Sequence, residues 1–462
     1  MRAEHILPSV LLLCVACGAS VEPVLGARAP TPDTAPASGV ESPTEGAPPT
    51  AAPEGTAPLP LGAPGLDETR EREELAPGVA HVHIRRGAPS EGSDGAGTTD
   101  SGPWSIHVLE IDPRAFAGRV RVALAGGHVE GRTPLTEIAR THGALAGVNA
   151  GYFVMEPSDG TPGDPAGICM LDGELVSENV TGRTSLVLLP DGTARISALR
   201  TTLSVSAPGG DTRELDGLNR APGLVRNCGG TGGDEPAETP MHDVSCTDAS
   251  ELVLFRPIFG EATPRGTGRE VVLDAEGAVT EVRARRGGAI PEGGSVLAGT
   301  GDAAQWLGRH LRRGTRAEIA IEVVDETLQP LPDGASAVNG GPRLMRAGAI
   351  DVPSRVEGFD FDADPEHFRR FGLRRHPRTF AGLTRDGRLL LVAVDGRQPE
   401  LSVGLTFEET AQLARALGAF HAVNLDGGGS TAMFVRDALV TRPSDESGER
   451  PIGDALLLVP TR

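Results

Sequence analysis

The sequence predicts an α+β fold, in which a mixed, strand-rich sheet system and a few packed helices form a single domain. Three observations lead to this prediction. Short apolar or alternating segments recur at close spacing from Val79 onward, which is typical of strands. Helix-capping signals are few and widely separated. The N-terminal region is rich in Pro, Ala, Thr and Gly, so the 462 residues need not build two cores.

The first 17 residues have the layout of a secretory signal. Arg2 precedes the apolar run Val10–Val15, which is too short to span a bilayer. The residues Val15 to Gly18 resemble a bacterial lipobox, in which the cysteine, here Cys17, becomes lipidated. We therefore expect an exported protein, anchored to the membrane only through a lipid on Cys17; a periplasmic or secreted protein is the alternative.

Residues 18–75 are predicted to be a disordered tether. Pro, Ala, Thr, Gly and Glu dominate this segment, which cannot bury enough apolar surface to offset the entropy cost of ordering. The folded domain is then expected to cover residues 76–462. Its Gly- and Pro-rich stretches near 87–103, 207–216 and 229–240 are predicted to be surface loops.

The predicted elements follow in chain order. The strands are Val79–Ile84, Trp104–Ile111, Val120–Leu124, Leu145–Val148, Ser185–Leu189, Ala194–Ile196 and His421–Leu425. The helices are Pro134–Thr141 with Thr133 as its cap, Ala303–Leu311 with Asp302 as its cap, and Phe407–Leu417 with Thr406 as its cap. The last helix is the clearest, because Glu408 and Glu409 occupy its electropositive first turn.

Charge and cysteine usage narrow the chemistry. The formal net charge of −20 argues against nucleic-acid binding, and the lack of lysine excludes Schiff-base mechanisms. Cys228 and Cys246 are the expected disulfide, whereas Cys169 lies in an apolar run and is expected to be a buried thiol. No metal site is predicted, because His81 and His83 lack a third ligand nearby and Asp360–Asp364 lacks the glycine of a calcium loop.

Three short apolar segments each deliver polar residues to a glycine-containing turn. Leu145–Val148 leads to Asn149–Phe153, Leu389–Val394 leads to Asp395–Arg397, and Ala422-Val423 leads to Asn424–Thr431. Glycine permits the sharp turns at strand ends where functional residues are often found. Three consecutive glycines, Gly427, Gly428 and Gly429, exceed what a two-residue turn requires.

Taken in order along the chain, these motifs resemble those of the phosphodiester glycosidase family, over roughly Leu145 to the C-terminus. The matching segments are Gly147–Phe153, Arg378–Thr384, Leu390–Arg397, Gly404–Thr406 and Ala422–Met433. The closing segment Glu449–Leu456 is also similar, but Asp454 stands where asparagine is expected and is left out of the predicted site. The resemblance implies a hydrolase that cleaves the glycosidic bond of sugar-1-phosphate diesters, such as GlcNAc-1-phosphodiesters, without a cofactor.

Site residues are predicted on this basis. Asp426 is the expected catalytic carboxylate, as general base or nucleophile, and Asp395 is the second candidate. The phosphate is expected to bind Arg343, Arg378 and Arg397, a nest of backbone N–H groups from Gly427 to Ser430, and the hydroxyls of Ser430 and Thr431. Sugar recognition is assigned to Asn149, Asn339, Asn424 and Tyr152, with Gly151, Gly341 and Thr379 completing the substrate site.

Each assignment has a structural alternative. Asp426-Gly427 is also an ordinary turn sequence, the arginines also suit surface ion pairs, and Asn149 also suits a backbone cap. Two other functions stay open: a lipoprotein that binds phosphorylated glycans without turnover, and a phosphodiesterase that cleaves at phosphorus. The oligomeric state and the natural substrate do not follow from the sequence.

Overall fold

The structure, a computed structural model, describes residues 57–89, 100–228 and 240–461. The predicted leader, Cys17 and most of the predicted tether lie outside these residues. So do the central parts of two predicted surface loops, 90–99 and 229–239. Among the described residues, no helix combines the length and apolar character needed to cross a membrane.

The described residues form many short strands and four α-helices. In the first half of the chain the strands are β1 (Glu68–Ala76), β2 (Val79–Arg86), β3 (Trp104–Ile111), β4 (Gly118–Leu124), β5 (Ala146–Asn149), β6 (Cys169–Leu171), β7 (Glu174–Ser177), β8 (Thr184–Leu188), β9 (Ala194–Ala198), β10 (Arg200–Ser206), β11 (Thr212–Glu214), β12 (Gly217–Leu218) and β13 (Leu224–Arg226). In the second half they are β14 (Ser245–Thr247), β15 (Leu252–Phe255), β16 (Arg269–Leu273), β17 (Val279–Arg283), β18 (Ser295–Gly299), β19 (Glu318–Val324), β20 (Ser336–Asn339), β21 (Arg343–Arg346), β22 (Ala349–Ile350), β23 (Arg378–Thr384), β24 (Leu389–Val394), β25 (Ala419–Asn424), β26 (Met433–Val435), β27 (Ala438–Leu439) and β28 (Asp454–Pro460). The helices are α1 (Leu135–Thr141), α2 (Gly301–His310), α3 (Pro365–Phe371) and α4 (Phe407–Ala416).

The fold class is therefore mainly β. The predicted strand-rich sheet system is confirmed, but the helices are short and few, so α+β describes the chain only loosely. Part of the predicted loop 207–216 is also strand, because β11 pairs with β10 as a hairpin around the Gly209-Gly210 turn.

Two sheets carry the strands that lead to the site. The larger has eight strands in the order β1-β2-β3-β24-β23-β25-β21-β22, and the smaller has five in the order β27-β26-β5-β28-β4. Their facing side chains form one apolar cluster, which includes Leu109, Leu391, Val148 and Leu456. Helix α4 covers the other face of the larger sheet through Ala411, Leu413 and Ala414. Strands β23 and β24 are buried on both faces, which explains why β24 is a continuous apolar run.

The N-terminal boundary of the folded part lies earlier than predicted. Strand β1 and the two buried leucines Leu59 and Leu61 fall inside the predicted tether. Strand β1 lacks apolar alternation because it is an edge strand, paired only with β2. Charged side chains suit an exposed edge, where they discourage pairing with other chains. Its Glu71 pairs with Arg85 on β2 across the ladder.

One of the three predicted helix N-caps is present in the structure. Helix α4 has the predicted cap. The Thr406 hydroxyl accepts a hydrogen bond from the backbone N–H of Glu409, and the Glu409 carboxylate accepts one from the backbone N–H of Thr406. The other two predicted caps are wrong. The Glu449 carboxylate accepts from the Thr136 N–H of α1 at 2.9 Å, and the Ser250 hydroxyl accepts from the Asp302 N–H of α2 at 3.1 Å. Distant residues cap these two helices, which local pattern does not reveal.

Candidate active site

A cavity of about 560 Å³ lies where three strands of the larger sheet meet. The start of β23 lies beside the ends of β24 and β25, because Arg378 is opposite Val394 and Phe380 is opposite Asn424. The side chains and backbone that line the cavity come from Tyr152, Phe153, Met155, Glu156, Asp159, Arg226, His242, Asp243, His367, Arg370, Phe371, His376, Arg378, Arg397, Asp426, Gly427, Gly428, Gly429 and Arg450.

Asp426 lines this cavity on the turn that follows β25. Its Oδ1 accepts a hydrogen bond of 2.9 Å from the Gly427 N–H. Burial raises the pKa of Asp426 to about 7, against the lowering effects of the Ser430 hydroxyl and the Arg450 guanidinium. A carboxyl group with this pKa carries its proton for part of the time at neutral pH, which suits proton transfer.

The three glycines after Asp426 make room for their neighbours. A Cβ on Gly427 would lie 2.9 Å from the Pro377 carbonyl oxygen, and one on Gly428 would lie 3.1 Å from Nη2 of Arg397. A Cβ on Gly429 would clash with Arg450. The triple glycine therefore lets two arginines and one backbone segment approach the turn closely.

The predicted nest of N–H groups has a different arrangement. The N–H of Gly427 bonds Asp426 and that of Gly428 donates to the Pro377 carbonyl at 2.9 Å. The N–H of Ser430 donates to the Gly427 carbonyl at 3.1 Å. Three of the four predicted donors are thus engaged within the protein, and anion binding depends mainly on side chains.

Arg378 is a buried cation held by carbonyl groups. Its Nε donates to the Leu405 carbonyl at 2.9 Å and its Nη2 to the Phe371 carbonyl at 2.6 Å. The guanidinium also lies 4.3 Å from the ring centre of Phe407. Burial lowers the pKa of Arg378 to about 10, so it stays charged at neutral pH. Within the described part of the chain, Arg378 forms no ion pair and its Nη1 makes no hydrogen bond.

Arg397 faces the same cavity from the turn after β24. It has a left-handed backbone conformation, with φ of 60°. Its Nε and Nη2 donate to Nδ1 of His376, at 3.1 and 3.0 Å. His376 must then carry its proton on Nε2, which lies 2.6 Å from the Arg370 carbonyl. Burial lowers the pKa of His376 to about 4, so the neutral ring holds Arg397 in place.

Several lining residues were not predicted. Arg450 pairs with Asp445 at 2.8 Å and lies 3.5 Å from the Ser430 hydroxyl. His242 and Asp243 lie in the segment that the Cys228–Cys246 disulfide closes, and Arg226 lies just before it. The predicted disulfide is confirmed. The cysteine pair was the feature of the sequence that indicated a fixed position for this segment. Cys169 is buried and unpaired, as expected.

The predicted sugar-binding asparagines are buried and bond within the protein. Asn149 donates to the Asp426 carbonyl at 2.6 Å and accepts from the Thr379 hydroxyl at 2.7 Å. Asn339 exchanges two hydrogen bonds with the backbone of Tyr152. Asn424 donates to the Tyr152 hydroxyl at 2.8 Å. These contacts hold the segments that surround the cavity. Tyr152 lines the cavity, whereas the three asparagines do not.

Other predicted residues also lie behind the cavity. The Gly341 carbonyl accepts from the Tyr152 hydroxyl, and Gly151 leaves space for the Asn339 side chain. Arg343 is buried and pairs with Glu326 at 3.0 Å. Ser430 and Thr431 are buried beside the glycine turn. The Ser430 hydroxyl forms a hydrogen bond with Asp426 that lowers the pKa of this carboxyl group.

The structure does not bring Asp395 into the cavity. It accepts from the Arg442 N–H at 2.9 Å, and its other oxygen lies 3.7 Å from Nε2 of His107. The rings of His81 and His83 stack on His107, and both are half-buried. No group of three potential metal ligands occurs within the described ranges 57–89, 100–228 and 240–461.

Asp454 supports the site from below. It is buried, and its Oδ1 accepts from the Gly151 N–H at 2.7 Å. Its Oδ2 has no hydrogen-bond partner among the described residues. Burial raises the pKa of Asp454 to about 7, so the protonated form resembles the asparagine expected there in both shape and charge.

Comparison with known proteins gives consistent matches. Residues 267–459 match the family model described as phosphodiester glycosidase. N-acetylglucosamine-1-phosphodiester alpha-N-acetylglucosaminidase from Mus musculus is 31% identical over 122 residues, which are 26% of this chain and 23% of the mouse protein. The chain thus aligns with less than a quarter of that relative's length.

Two crystal structures share the fold. One is a "Putative exported protein" from Burkholderia pseudomallei K96243; it has a TM-score of 0.80 and 30% identity, over 89% of this chain and 100% of that chain. The other is a hypothetical protein from Synechocystis, with a TM-score of 0.61 and 21% identity, over 82% of this chain and 62% of that chain. The second likeness concerns the fold alone.

Proposed function

Because the chain belongs to the phosphodiester glycosidase family, we propose that it hydrolyses the glycosidic carbon–oxygen bond of sugar-1-phosphate diesters in this cavity. The products are the free sugar and a phosphate monoester on the acceptor. GlcNAc-1-phosphodiesters are the proposed substrate type, on the analogy of the activity in the name of the mouse relative.

One observation carries the proposal: Asp426, Arg378 and Arg397 line the same cavity. Neither arginine forms an ion pair with a carboxylate in the described ranges, so both charges are available to a ligand anion. In each guanidinium Nη1 makes no hydrogen bond within those ranges and can donate a charge-assisted hydrogen bond to a phosphate oxygen. A phosphate held there lies beside the only lining carboxyl group whose pKa is raised toward neutrality.

The raised pKa suggests a role for Asp426 other than the predicted base or nucleophile. We assign it the proton that passes to the bridging oxygen of the leaving phosphate. A bound phosphate adds negative charge nearby and raises the carboxyl pKa further, which keeps the proton in place until the bond breaks. Arg378 and Arg397 stabilise the charge that develops on the phosphate.

The cellular setting is also proposed. The apolar leader, the lipobox-like residues before Gly18 and the likeness to an exported protein of Burkholderia support export. A lipid on Cys17 with a Pro-rich tether would place the cavity near envelope glycans, without a transmembrane segment.

The full chain should be assayed with GlcNAc-1-phosphodiesters and sugar nucleotides in ¹⁸O-labelled water. We expect the label in the released sugar, and we expect Asp426→Asn to lower kcat at least 100-fold while ligand binding persists. Label in the phosphate would instead identify a phosphodiesterase that cleaves at phosphorus. Binding without turnover across the panel would favour the glycan-binding alternative.

A further inference from the structure

Glycoside hydrolysis generally uses two carboxyl groups, one that carries a proton and one that stays ionised. The sequence offered Asp395 as the second, but it lies outside the cavity. The cavity contains three other carboxylates, from Glu156, Asp159 and Asp243. We propose that Asp243, on the segment closed by the Cys228–Cys246 disulfide, is the general base that activates water for attack on the anomeric carbon. This inference rests on the proposed function.

The backbone of Asp243 is fixed from several directions. Its N–H donates to Oδ1 of Asn227 at 3.1 Å, and the N–H of the preceding residue, His242, donates to the Gly358 carbonyl at 2.7 Å. Strands β13 and β14 pair on either side of the disulfide. Asp243 nevertheless has a left-handed conformation, with φ of 64°. A strained residue that its surroundings hold firmly is typical of a functional position.

The side chain is held at one oxygen and open at the other. Arg226 donates to Oδ1 at 2.7 Å, and Nε2 of the His242 ring lies 3.8 Å from the same atom. Among the described residues, none donates a hydrogen bond to Oδ2. The side chain is 54% exposed, so water in the cavity reaches it. His242 is anchored in turn by its edge contact with Tyr152, at 4.5 Å between ring centres.

The two carboxyl groups have opposite environments. Partial burial acts to raise the pKa of Asp243, but its interactions with His242 and Arg226 outweigh this effect and hold the pKa below its usual value. The negative charge of Asp243 in turn contributes to the raised pKa of Asp426. Pairs of carboxyl groups whose pKa values are pushed apart commonly divide the acid and base roles.

The proposed step is a single displacement by water. A water O–H bond breaks and its proton passes to Oδ2 of Asp243, while the water oxygen bonds the anomeric carbon. The bond from that carbon to the phosphate oxygen breaks, and its electron pair stays on the oxygen, which takes the proton from Asp426. Solvent then returns Asp243 to its ionised form and Asp426 to its protonated form. Because the displacement is single, the sugar emerges with inverted anomeric configuration.

The test uses the full chain and Asp243→Gly, because glycine tolerates the left-handed conformation without strain. We expect kcat to fall 100- to 10,000-fold while the melting temperature changes little. Sodium azide should restore turnover by forming a glycosyl azide, which a merely structural role of Asp243 would not produce. Asp112→Asn, at an Arg-paired carboxylate in a turn outside the cavity, is the matched control and should leave kcat unchanged.

Loss of less than tenfold in Asp243→Gly, absence of azide rescue, or a first-formed sugar of retained configuration would overturn the assignment. The ¹⁸O experiment on the wild type distinguishes failure of the proposed function from failure of the role of Asp243. If the label does not enter the sugar, the proposed function fails and this role fails with it. If the label enters the sugar but Asp243→Gly stays active, only the role of Asp243 is lost.

Discussion

The α-carbon of Gly428 faces the guanidinium of Arg397 so closely that an added methyl group would lie 3.1 Å from Nη2. The backbone of Gly428 is also left-handed, with φ of 60°. This turn therefore requires glycine both for its own conformation and for the position of a cation in the cavity.

Gly428→Ala should displace Arg397 and raise KM for a sugar phosphodiester several-fold. The strain of alanine in this conformation should also cost about 1–2 kcal/mol of stability. Gly387→Ala is the control, because Gly387 is left-handed too but has open space around it. Both variants should lose similar stability, and only the first should change KM. Equal KM values would show that Arg397 does not depend on this glycine.

Arg378→Lys should lower kcat/KM at least tenfold although the positive charge is kept. The carbonyl groups of Leu405 and Phe371 fit the fork of a guanidinium, and an ammonium group cannot bridge them and still face the ligand. Arg114→Lys, at an exposed ion pair, should have no effect on steady-state kinetics. Wild-type kinetics for Arg378→Lys would mean that charge alone suffices.

The pH dependence of kcat/KM follows from the raised pKa of Asp426. If Asp426 must be protonated, activity should fall as the pH rises through about 7, with the slope of a single proton. The limb should disappear in the residual activity of Asp426→Asn. Activity that instead rises through this range would assign Asp426 the base or nucleophile role predicted from the sequence.

Asp454→Asn should stabilise the protein at alkaline pH. A carboxyl group whose pKa is raised on folding contributes stability at low pH that is lost as the pH rises through the folded value, here about 7. Asparagine keeps an acceptor for the Gly151 N–H and cannot ionise. The variant should gain about 1–3 kcal/mol over the wild type above pH 8, and little below pH 4. Urea unfolding across this range tests the difference, which a pH-independent result would contradict.

Reduction of the Cys228–Cys246 disulfide should lower both stability and activity. A disulfide that closes a loop of this length contributes about 3 kcal/mol in the chain-entropy account. The activity should fall because Asp243 lies in the segment that it closes, and its partner Arg226 lies just before that segment. The double variant Cys228→Ser/Cys246→Ser should match the reduced protein and be insensitive to reductant. Full activity after complete reduction would show that β13 and β14 hold the segment alone.

The sequence revealed those parts of the site that depend on local structure. Asp426 and Arg397 follow buried strands at glycine-containing turns, and Arg378 begins a buried strand; such positions can be recognised from a few residues. The direction in which a side chain points at a strand end cannot be recognised in this way. Asp395 and Arg343 hold comparable strand-end positions, yet both point to internal partners.

Contacts between distant segments were the main source of error. Glu449 caps a helix that begins more than 300 residues earlier, and Asp243 joins the cavity through packing and a disulfide. Strand β1 escaped prediction because its order comes from pairing with β2 and not from an apolar pattern of its own. The cysteine pair was a visible sign that the intervening segment is held in place, although not of what it faces.

The residues that line the cavity come from two parts of the chain. Asp426, Arg378 and Arg397 lie within the stretch that matches the family model, residues 267–459, whereas Arg226, His242 and Asp243 precede it. Under the proposed function, changes in the segment closed by the disulfide would therefore reshape one side of the cavity while Asp426, Arg378 and Arg397 stay as they are.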